Sequence, residues 1–391
     1  MGLQVRIFIV VALLVLEFFR LPLFAFIGIR SMGPVLHILV FLSPLLLYKK
    51  FSLNFRGFGP FILVTVWSLV STILFLAKGM SLGAYSSTIA PITTPFLLVF
   101  GILVFSNDVD SWRKVARWVL AISFYLGSMS LIAEWLVISK LNLISQCDWA
   151  SFVANSFDSQ YCNTNRFMPV GFFVYKDMSL AILLGGFFAF SNWKNKWEVA
   201  LRVALVLFSL WIVDSIVLTG IFLVVSVIRF YVVARRNLLL YATSLLLIFL
   251  NLFSYSRSFY RLRDYLVNEL NLHNFIPSTG GCSDEFWLFQ LDGASEYCSS
   301  KEIHSLLSMF RFGVLGTLSW YLSLAVMFII FCYDWIKRRP ITTLMYFPIV
   351  FIFNASHYSG IESWGVNYLS FIIFYVYLSE RSVNLPSTGK G

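Results

Sequence analysis

The chain has 391 residues, of which 59% are hydrophobic and 12% charged, and its formal net charge is +10. Soluble domains carry roughly 25% charged residues, so the composition excludes a soluble globular protein and predicts a membrane protein. The 29 basic residues occur in small groups between apolar runs. That distribution is against nucleic-acid binding, which needs a continuous basic face, and is typical of a membrane topology signal.

Apolar runs close to the length that crosses a bilayer, about 17–25 residues, recur along the whole chain. They predict an all-α, polytopic transmembrane helix bundle that forms one integral membrane domain over residues 1–391, with about twelve spans. Two of the runs, 200–213 and 341–353, are short for a span. In chain order the predicted spans are 7–27, 32–48, 60–77, 88–105, 118–138, 170–190, 200–213, 216–234, 238–253, 304–336, 341–353 and 366–378.

The lysine and arginine counts of the connectors orient this bundle. With a cytoplasmic N-terminus, 17 Lys and Arg fall in inner segments and 8 in outer ones, as the positive-inside rule requires. Both termini are then cytoplasmic, and two large loops, 140–169 and 254–303, lie outside. Apolar residues at helical spacing over 258–270 predict a surface helix within the second loop.

Four of the five cysteines lie in these two outer loops, Cys147 and Cys162 in the first and Cys282 and Cys298 in the second. Because disulfides persist in oxidising compartments, this placement agrees with the charge count. We favour the pairs Cys147–Cys162 and Cys282–Cys298. The two other pairings and four free thiols are the alternatives.

Motifs of soluble enzymes are absent. The chain has no P-loop, no G-x-S-x-G, no H-E-x-x-H and no C-x-x-C, so nucleotide-driven transport, hydrolase and zinc protease chemistry lack their signatures. Asp108 and Asp110 have the spacing of a metal-binding D-x-D pair, but they precede a helix on the inner side, where Asp commonly caps. The LPSTG at 385–389 matches a sortase signal without the span that should follow it, which favours a chance match or a cloning remnant.

Basic residues at the outer helix ends form the candidate binding site. Charged groups at membrane depth usually face a cavity, and arginine suits phosphate through its planar fork and permanent charge. The cluster therefore predicts a pyrophosphate-binding site, although a lipid headgroup contact is an equal alternative for Arg257 and Arg263. Its members are Arg166, Lys176, Arg257, Arg261, Arg263 and Arg311.

Candidate acid–base residues lie at the start of the tenth span. His304 shares a helix face with Arg311, and Glu302 lies two residues before it. Histidine is the side chain that titrates nearest neutral pH, so His304 is the first choice as a base and Glu302 the second. Other ionisable residues form a second tier of candidates: Glu17, Glu134, Asp214, His273, His357 and Glu362.

The segments around Arg166 and His304 resemble motifs of a known family. Arg166 leads into GFFVYKDMSLA from Gly171, and His304 leads into RFGVLG from Arg311. With twelve predicted spans and outer loops after the fifth and ninth, they resemble the O-antigen polymerase (Wzy) family, within the polymerase and ligase superfamily of bacterial surface glycans. The ligase branch usually has His-Asn before its helix, whereas Ser305 follows His304 here and the His-Asn of this chain is at 273–274.

The resemblance implies a GT-C-like integral membrane glycosyltransferase of lipopolysaccharide biosynthesis in the bacterial inner membrane. It would join undecaprenyl-pyrophosphate-linked oligosaccharide repeat units by metal-independent, inverting transfer at the periplasmic face, without a cofactor and with a chain-length regulator as a possible partner. An O-antigen ligase and a lipid-linked oligosaccharide flippase or other transporter are the alternatives. The implied roles are leaving-group stabilisation by Arg166 and Arg311, donor positioning by Arg257 and Arg261, and proton acceptance by His304 or Glu302.

Overall fold

The computed structural model describes residues 2–28, 33–48, 108–154, 176–190, 196–233, 304–337, 341–354 and 364–384, and the single residues 66, 69, 70, 73, 77, 102, 169, 171 and 339. Of the described residues 90% are helical and none lies in a strand, which confirms an all-α fold for this part of the chain. The count of twelve spans stays a prediction, because the third, fourth and ninth predicted spans fall almost wholly outside these residues.

Ten α-helices have described bounds. They are α1 Leu3–Ile27, α2 Gly33–Leu46, α3 Val109–Trp135, α4 Gln146–Ala154, α5 Lys176–Phe190, α6 Lys196–Val213, α7 Ile216–Val233, α8 His304–Ile336, α9 Tyr346–Asn354 and α10 Trp364–Asn384. A π-helical turn, Leu136–Lys140, continues α3, and a 3₁₀ turn, Thr343–Met345, leads into α9.

Helix bounds follow the predicted spans where the apolar run is uninterrupted. α8 coincides with the predicted span 304–336. The predicted helix 170–190 is wrong at Gly171, whose φ of +74° lies outside the helical region, and α5 is described from Lys176 to Phe190.

The start of α3 also differs from the prediction, which placed the span at 118–138. The helix begins nine residues earlier, at Val109, because Trp112 and Val115 are fully buried in the bundle although charged residues surround them in the sequence. Asp108 caps this helix: its carboxylate accepts hydrogen bonds from the Ser111 backbone N–H at 3.4 Å and the Ser111 hydroxyl at 2.6 Å. The capping interpretation of Asp108 is confirmed.

Among the described residues, one helical stretch is long and apolar enough to cross a membrane. It is Val109–Lys140, with a mean hydropathy of 1.6 over an 18-residue stretch. Shorter apolar helical segments are Ser179–Ala189, Val217–Arg229, Trp320–Ile336 and Thr343–Asn354. By length and composition, the structure thus supplies one candidate span in the part of the chain that it describes.

α5 lies at the centre of the bundle and contacts α3, α6, α7 and α9. All of its side chains over 179–189 are buried. Two adjacent glycines allow the closest contacts: a Cβ on Gly185 would lie 2.5 Å from Cδ2 of Phe347 in α9, and one on Gly186 would lie 3.2 Å from the carbonyl oxygen of Leu120 in α3. The absence of side chains on two neighbouring faces lets both helices approach α5.

The two ends of the bundle differ in chemistry. The charged end comprises the start of α3 and the C-terminal turns of α8 and α10, and it contains Arg113, Asp334 and Arg381. We call the opposite end, where α3 finishes and α5 begins, the Glu134 end. There α1 meets α4, with the ring of Phe26 5.4 Å from that of Phe152.

Candidate functional site

The structure describes part of the predicted site. Lys176 is the first residue of α5 and His304 the first of α8, with Arg311 two turns further along α8; their backbones are described and their side chains are not. The roles of these and the other predicted residues stay predictions. Outside the described residues lie Arg166, Arg257, Arg261, Arg263, Glu302, Cys162, Cys282 and Cys298.

A buried carboxyl group ties the segment after Arg166 to α3. Glu134, near the C-terminal end of α3, is 5% exposed, and its Oε2 accepts a hydrogen bond from the backbone N–H of Gly171 at 3.0 Å. Gly171 lies five residues after Arg166 and five before Lys176. The bond therefore fixes the middle of the segment that joins two predicted phosphate-binding residues.

Gly171 is closely packed in a backbone conformation that favours glycine. Its φ is +74°, in the left-handed region that L-residues with a side chain rarely adopt. A Cβ at this position would lie 2.9 Å from Cβ of Ser179 in α5 and 3.7 Å from Cδ2 of Leu131 in α3. The Gly171 backbone thus fills the space between α3 and α5, and glycine is required there for both conformation and space.

A second buried polar group, the amide of Asn354, lies at this end of the bundle. Its level follows from the packing of α9 on α5: the hydroxyl of Thr343 donates to the carbonyl oxygen of Ala189 at 2.8 Å, and Phe347 packs on Gly185, so the two helices run antiparallel. Extending this register places Asn354, the last residue of α9, level with the first turn of α5. Asn354 is 1% exposed, and within the part of the chain that the structure describes its amide has no hydrogen-bond partner.

α8 extends from the charged end to the level of the Glu134 end. It runs parallel to α10, because Trp320 Nε1 donates to Asn367 Oδ1 at 3.3 Å and Asp334 meets Arg381 further along both helices. Arg311 precedes Asp334 by 23 residues, or about 35 Å of helix. A similar length of α3, about 32 Å, separates its first turns from Glu134, so the backbone of Arg311 reaches the level of the Glu134 end.

The charged end is held by a buried carboxylate that sequence analysis did not single out. Asp334 is 0% exposed; Nη1 of Arg339 lies 3.3 Å and Nε of Arg381 3.0 Å from its two oxygens. The hydroxyl of Tyr377 donates a hydrogen bond to the same carboxylate. Both guanidinium groups also lie over the Tyr333 ring, at 5.2 and 5.9 Å. These contacts tie the C-terminal turns of α8 and α10 together.

A groove of about 550 Å³ opens beside this network, between the first turns of α3 and the end of α10. In it Arg113 bridges two acids, with Nη1 2.8 Å from Asp110 and Nε 2.6 Å from Glu380. Arg117 and Thr342 also line the groove. Its arginines come from a connector that the charge count assigns to the inner side of the membrane.

The predicted disulfides fall mostly outside the described residues. Cys147, in α4, is disulfide-bonded, and its partner lies outside the described part, so the pairing stays a prediction. Cys332, in α8, is a free thiol. Among the described residues, no three His, Cys, Asp or Glu side chains come together as metal ligands.

No protein-family model, no curated protein and no solved structure matches this chain. The class of this protein is therefore inferred from the residues of the chain itself. The described part is a bundle of α-helices with one candidate membrane span, ion pairs at one end, and buried polar groups around Glu134 at the other. From its sequence Glu134 is only a second-tier candidate, because a single Glu at the end of an apolar helix belongs to no motif.

Proposed function

We propose that this chain is an inner-membrane glycosyltransferase, an O-antigen polymerase, that joins undecaprenyl-pyrophosphate-linked oligosaccharide repeat units at the periplasmic face. One observation carries the proposal: the hydrogen bond from Gly171 to buried Glu134. Because five extended residues span at most about 18 Å, Arg166 and Lys176 are each within that distance of Gly171 at the Glu134 end, whose level the backbone of Arg311 also reaches. The basic residues that the resemblance assigns to pyrophosphate can thus act together.

Beyond the one candidate span, we propose further spans on the basis of helix length and exposed apolar surface. α1 has 25 residues, α8 has 33 and α10 has 21, and a span needs about 20. Large apolar side chains are exposed on the bundle, with Phe8 70% and Ile329 63% exposed, as a lipid-facing surface requires. Trp118 and Trp197 are 60% and 86% exposed towards the charged end, where an interfacial aromatic belt would lie.

Helix directions support the proposed topology. The predicted tenth and twelfth spans, α8 and α10, run parallel, whereas the sixth and eleventh, α5 and α9, run antiparallel, as alternating spans require. The basic residues of the charged end come from three connectors proposed to be cytoplasmic, and they include Arg113, Arg339 and Arg381. The Glu134 end then faces the periplasm, where lipid-linked repeat units are joined.

The proposed reaction is a displacement at the anomeric carbon of the donor sugar. A hydroxyl oxygen of the acceptor attacks that carbon from the opposite face, the bond to the pyrophosphate oxygen breaks, and undecaprenyl pyrophosphate leaves with the electron pair. Arg166 and Arg311 stabilise the negative charge that develops on the leaving group, and Arg257 and Arg261 position the donor. His304 accepts the proton of the attacking hydroxyl.

The test is a gene deletion complemented with variants, with surface polysaccharide resolved on a gel. We expect Arg166→Ala and Arg311→Ala each to reduce chain extension about 100-fold or more at normal protein levels. We expect His304→Ala to stop turnover with lipid-linked repeat still bound. Arg113→Ala is the matched control, because it removes an arginine from the opposite end and leaves chain lengths unchanged. Wild-type chains in the Arg166 or Arg311 variant would contradict the proposal.

The deletion itself separates the proposal from other functions. Surface glycans limited to a single repeat unit support a polymerase. Loss of all O-antigen with accumulation of lipid-linked polymer would instead indicate a ligase, and lipid-linked repeats trapped on the inner face would indicate a flippase. A reporter fused after Gly280 that is active in the cytoplasm would overturn the topology.

A further inference from the structure

We infer that Glu134 is a positioning residue of the proposed donor site: it holds the backbone of Gly171, which lies in the sequence midway between the predicted phosphate-binding residues Arg166 and Lys176. The inference rests on the proposed function and adds to it a residue that belongs to none of the motifs. Glu134 does not act on the substrate itself. It acts on the segment whose basic residues do.

The carboxyl group of Glu134 is costly in free energy to bury. A carboxyl group 5% exposed among apolar helices has lost nearly all of its contact with water, and such groups are expensive unless they make specific hydrogen bonds. A leucine at position 134 would pack in the same interior without that cost. The hydrogen bond to Gly171 gives the carboxyl group a specific use, because it joins α3 to a residue 37 positions further along the chain.

The backbone of Gly171 is held in one conformation. Gly171 has a left-handed φ of +74° and no room for a side chain against Ser179 and Leu131, so its backbone is held on both sides. Its amide points at Glu134, which lies outside α5. Without this acceptor, a buried N–H would be left unpaired, at a cost of about 1–3 kcal/mol, and the segment would shift to find another partner.

Gly171 is close to Arg166 along the chain. Lys176 begins α5 and is therefore held by the core of the bundle, whereas Arg166 precedes Gly171 by five residues and belongs to the first outer loop. Gly171 is the described point nearest to Arg166 whose backbone is bonded to another helix. A displacement of Gly171 therefore also displaces Arg166. Displacements of about 1 Å at catalytic sites cost about 100-fold in rate.

The experiment compares Glu134→Gln with Glu134→Leu. Glutamine keeps an oxygen that can accept the Gly171 N–H, whereas leucine keeps the volume and loses the acceptor. With lipid-linked repeat units isolated from the deletion strain as substrate, we expect Glu134→Gln to stay within about twofold of wild type. We expect Glu134→Leu to lower kcat about tenfold or more with KM close to wild type, as loss of a transition-state interaction does. Ser128→Ala, which removes a polar group 0% exposed in the same helix, is the matched control and keeps the wild-type kcat.

A double variant tests whether Glu134 acts through the segment. If it does, adding Glu134→Leu to Arg166→Ala lowers kcat/KM no further, because the residue that Glu134 positions is already absent. A multiplicative loss would overturn the inference, as would a wild-type kcat in Glu134→Leu. If Glu134→Gln were as inactive as Glu134→Leu, the carboxyl group would act through its charge and the inference would be wrong.

Failure of the proposed function and failure of the inference about Glu134 give different experimental results. If Arg166→Ala retains wild-type chain extension, the proposed function of the segment fails. If Arg166→Ala is inactive while Glu134→Leu is unaffected, the inference about Glu134 alone fails. Thermal unfolding of each purified variant in detergent separates both results from general destabilisation, since a positional effect lowers kcat in a protein that remains as stable as the Ser128→Ala control.

Discussion

Replacing Gly171 with alanine should disable the Glu134 end of the bundle while the protein remains folded. The alanine must adopt a φ of +74°, which costs an L-residue about 1–2 kcal/mol. It would also lie 2.9 Å from Cβ of Ser179, whereas carbon atoms are comfortable only at about 3.5–4.0 Å. The backbone of residue 171 must therefore move by roughly 1 Å from its native position.

This movement removes the hydrogen bond to Glu134, which at 3.0 Å has little tolerance. The lost bond adds about 1–1.5 kcal/mol to the conformational cost, giving about 2–3.5 kcal/mol at Gly171. Because each 1.4 kcal/mol is tenfold in population, Gly171 would hold its native position about 30- to 300-fold less often. We expect chain extension to fall by a similar factor, with protein levels close to wild type.

Gly28 supplies a matched control. It has φ +73°, and nothing lies within 4 Å of its Cβ position, so Gly28→Ala introduces the same backbone strain without the collision. A second variant, Gly171→Ala with Ser179→Gly, removes the colliding atoms and should restore part of the activity. The assays are glycan chain length on a gel and thermal unfolding in detergent. Equal behaviour of Gly171→Ala and Gly28→Ala in both assays would refute the reasoning.

Two further predictions concern stability and use the same unfolding measurement. Asp334→Ala leaves two arginines and Tyr377 without their shared carboxylate. Because the arginine side chains are 35% and 26% exposed, we expect the free energy of unfolding to fall by about 2–3 kcal/mol, less than the roughly 3–5 kcal/mol lost when a fully buried pair is broken. Asp334→Asn should lose less, since its amide can still bond Tyr377, and an unchanged unfolding temperature in Asp334→Ala would contradict the assigned contacts. Asn354→Leu should stabilise the protein by about 1–2 kcal/mol, because it replaces a buried amide that lacks a partner in the described part of the chain; a lower unfolding temperature would show that the amide is bonded.

Several features of this protein could be predicted from the sequence because they depend on neighbouring residues. Composition and the recurrence of apolar runs predicted helices, and the bounds of α8 agree with the run 304–336 because no glycine, proline or charge pair interrupts it near its ends. The cap at Asp108 was also predictable. It depends on a carboxylate and a backbone N–H three residues apart, a distance that local geometry controls.

Other features were decided only by the tertiary structure. Hydropathy treats 109–117 as a connector, but Trp112 and Val115 extend α3 through that region because other helices cover them. Glu134 acquires its importance from an amide 37 residues away, and Asp334 from a tyrosine 43 residues away. A buried polar group is stabilised by whichever partner faces it from another helix. Apolar periodicity shows that helices pack, but the identity of that partner depends on how they pack.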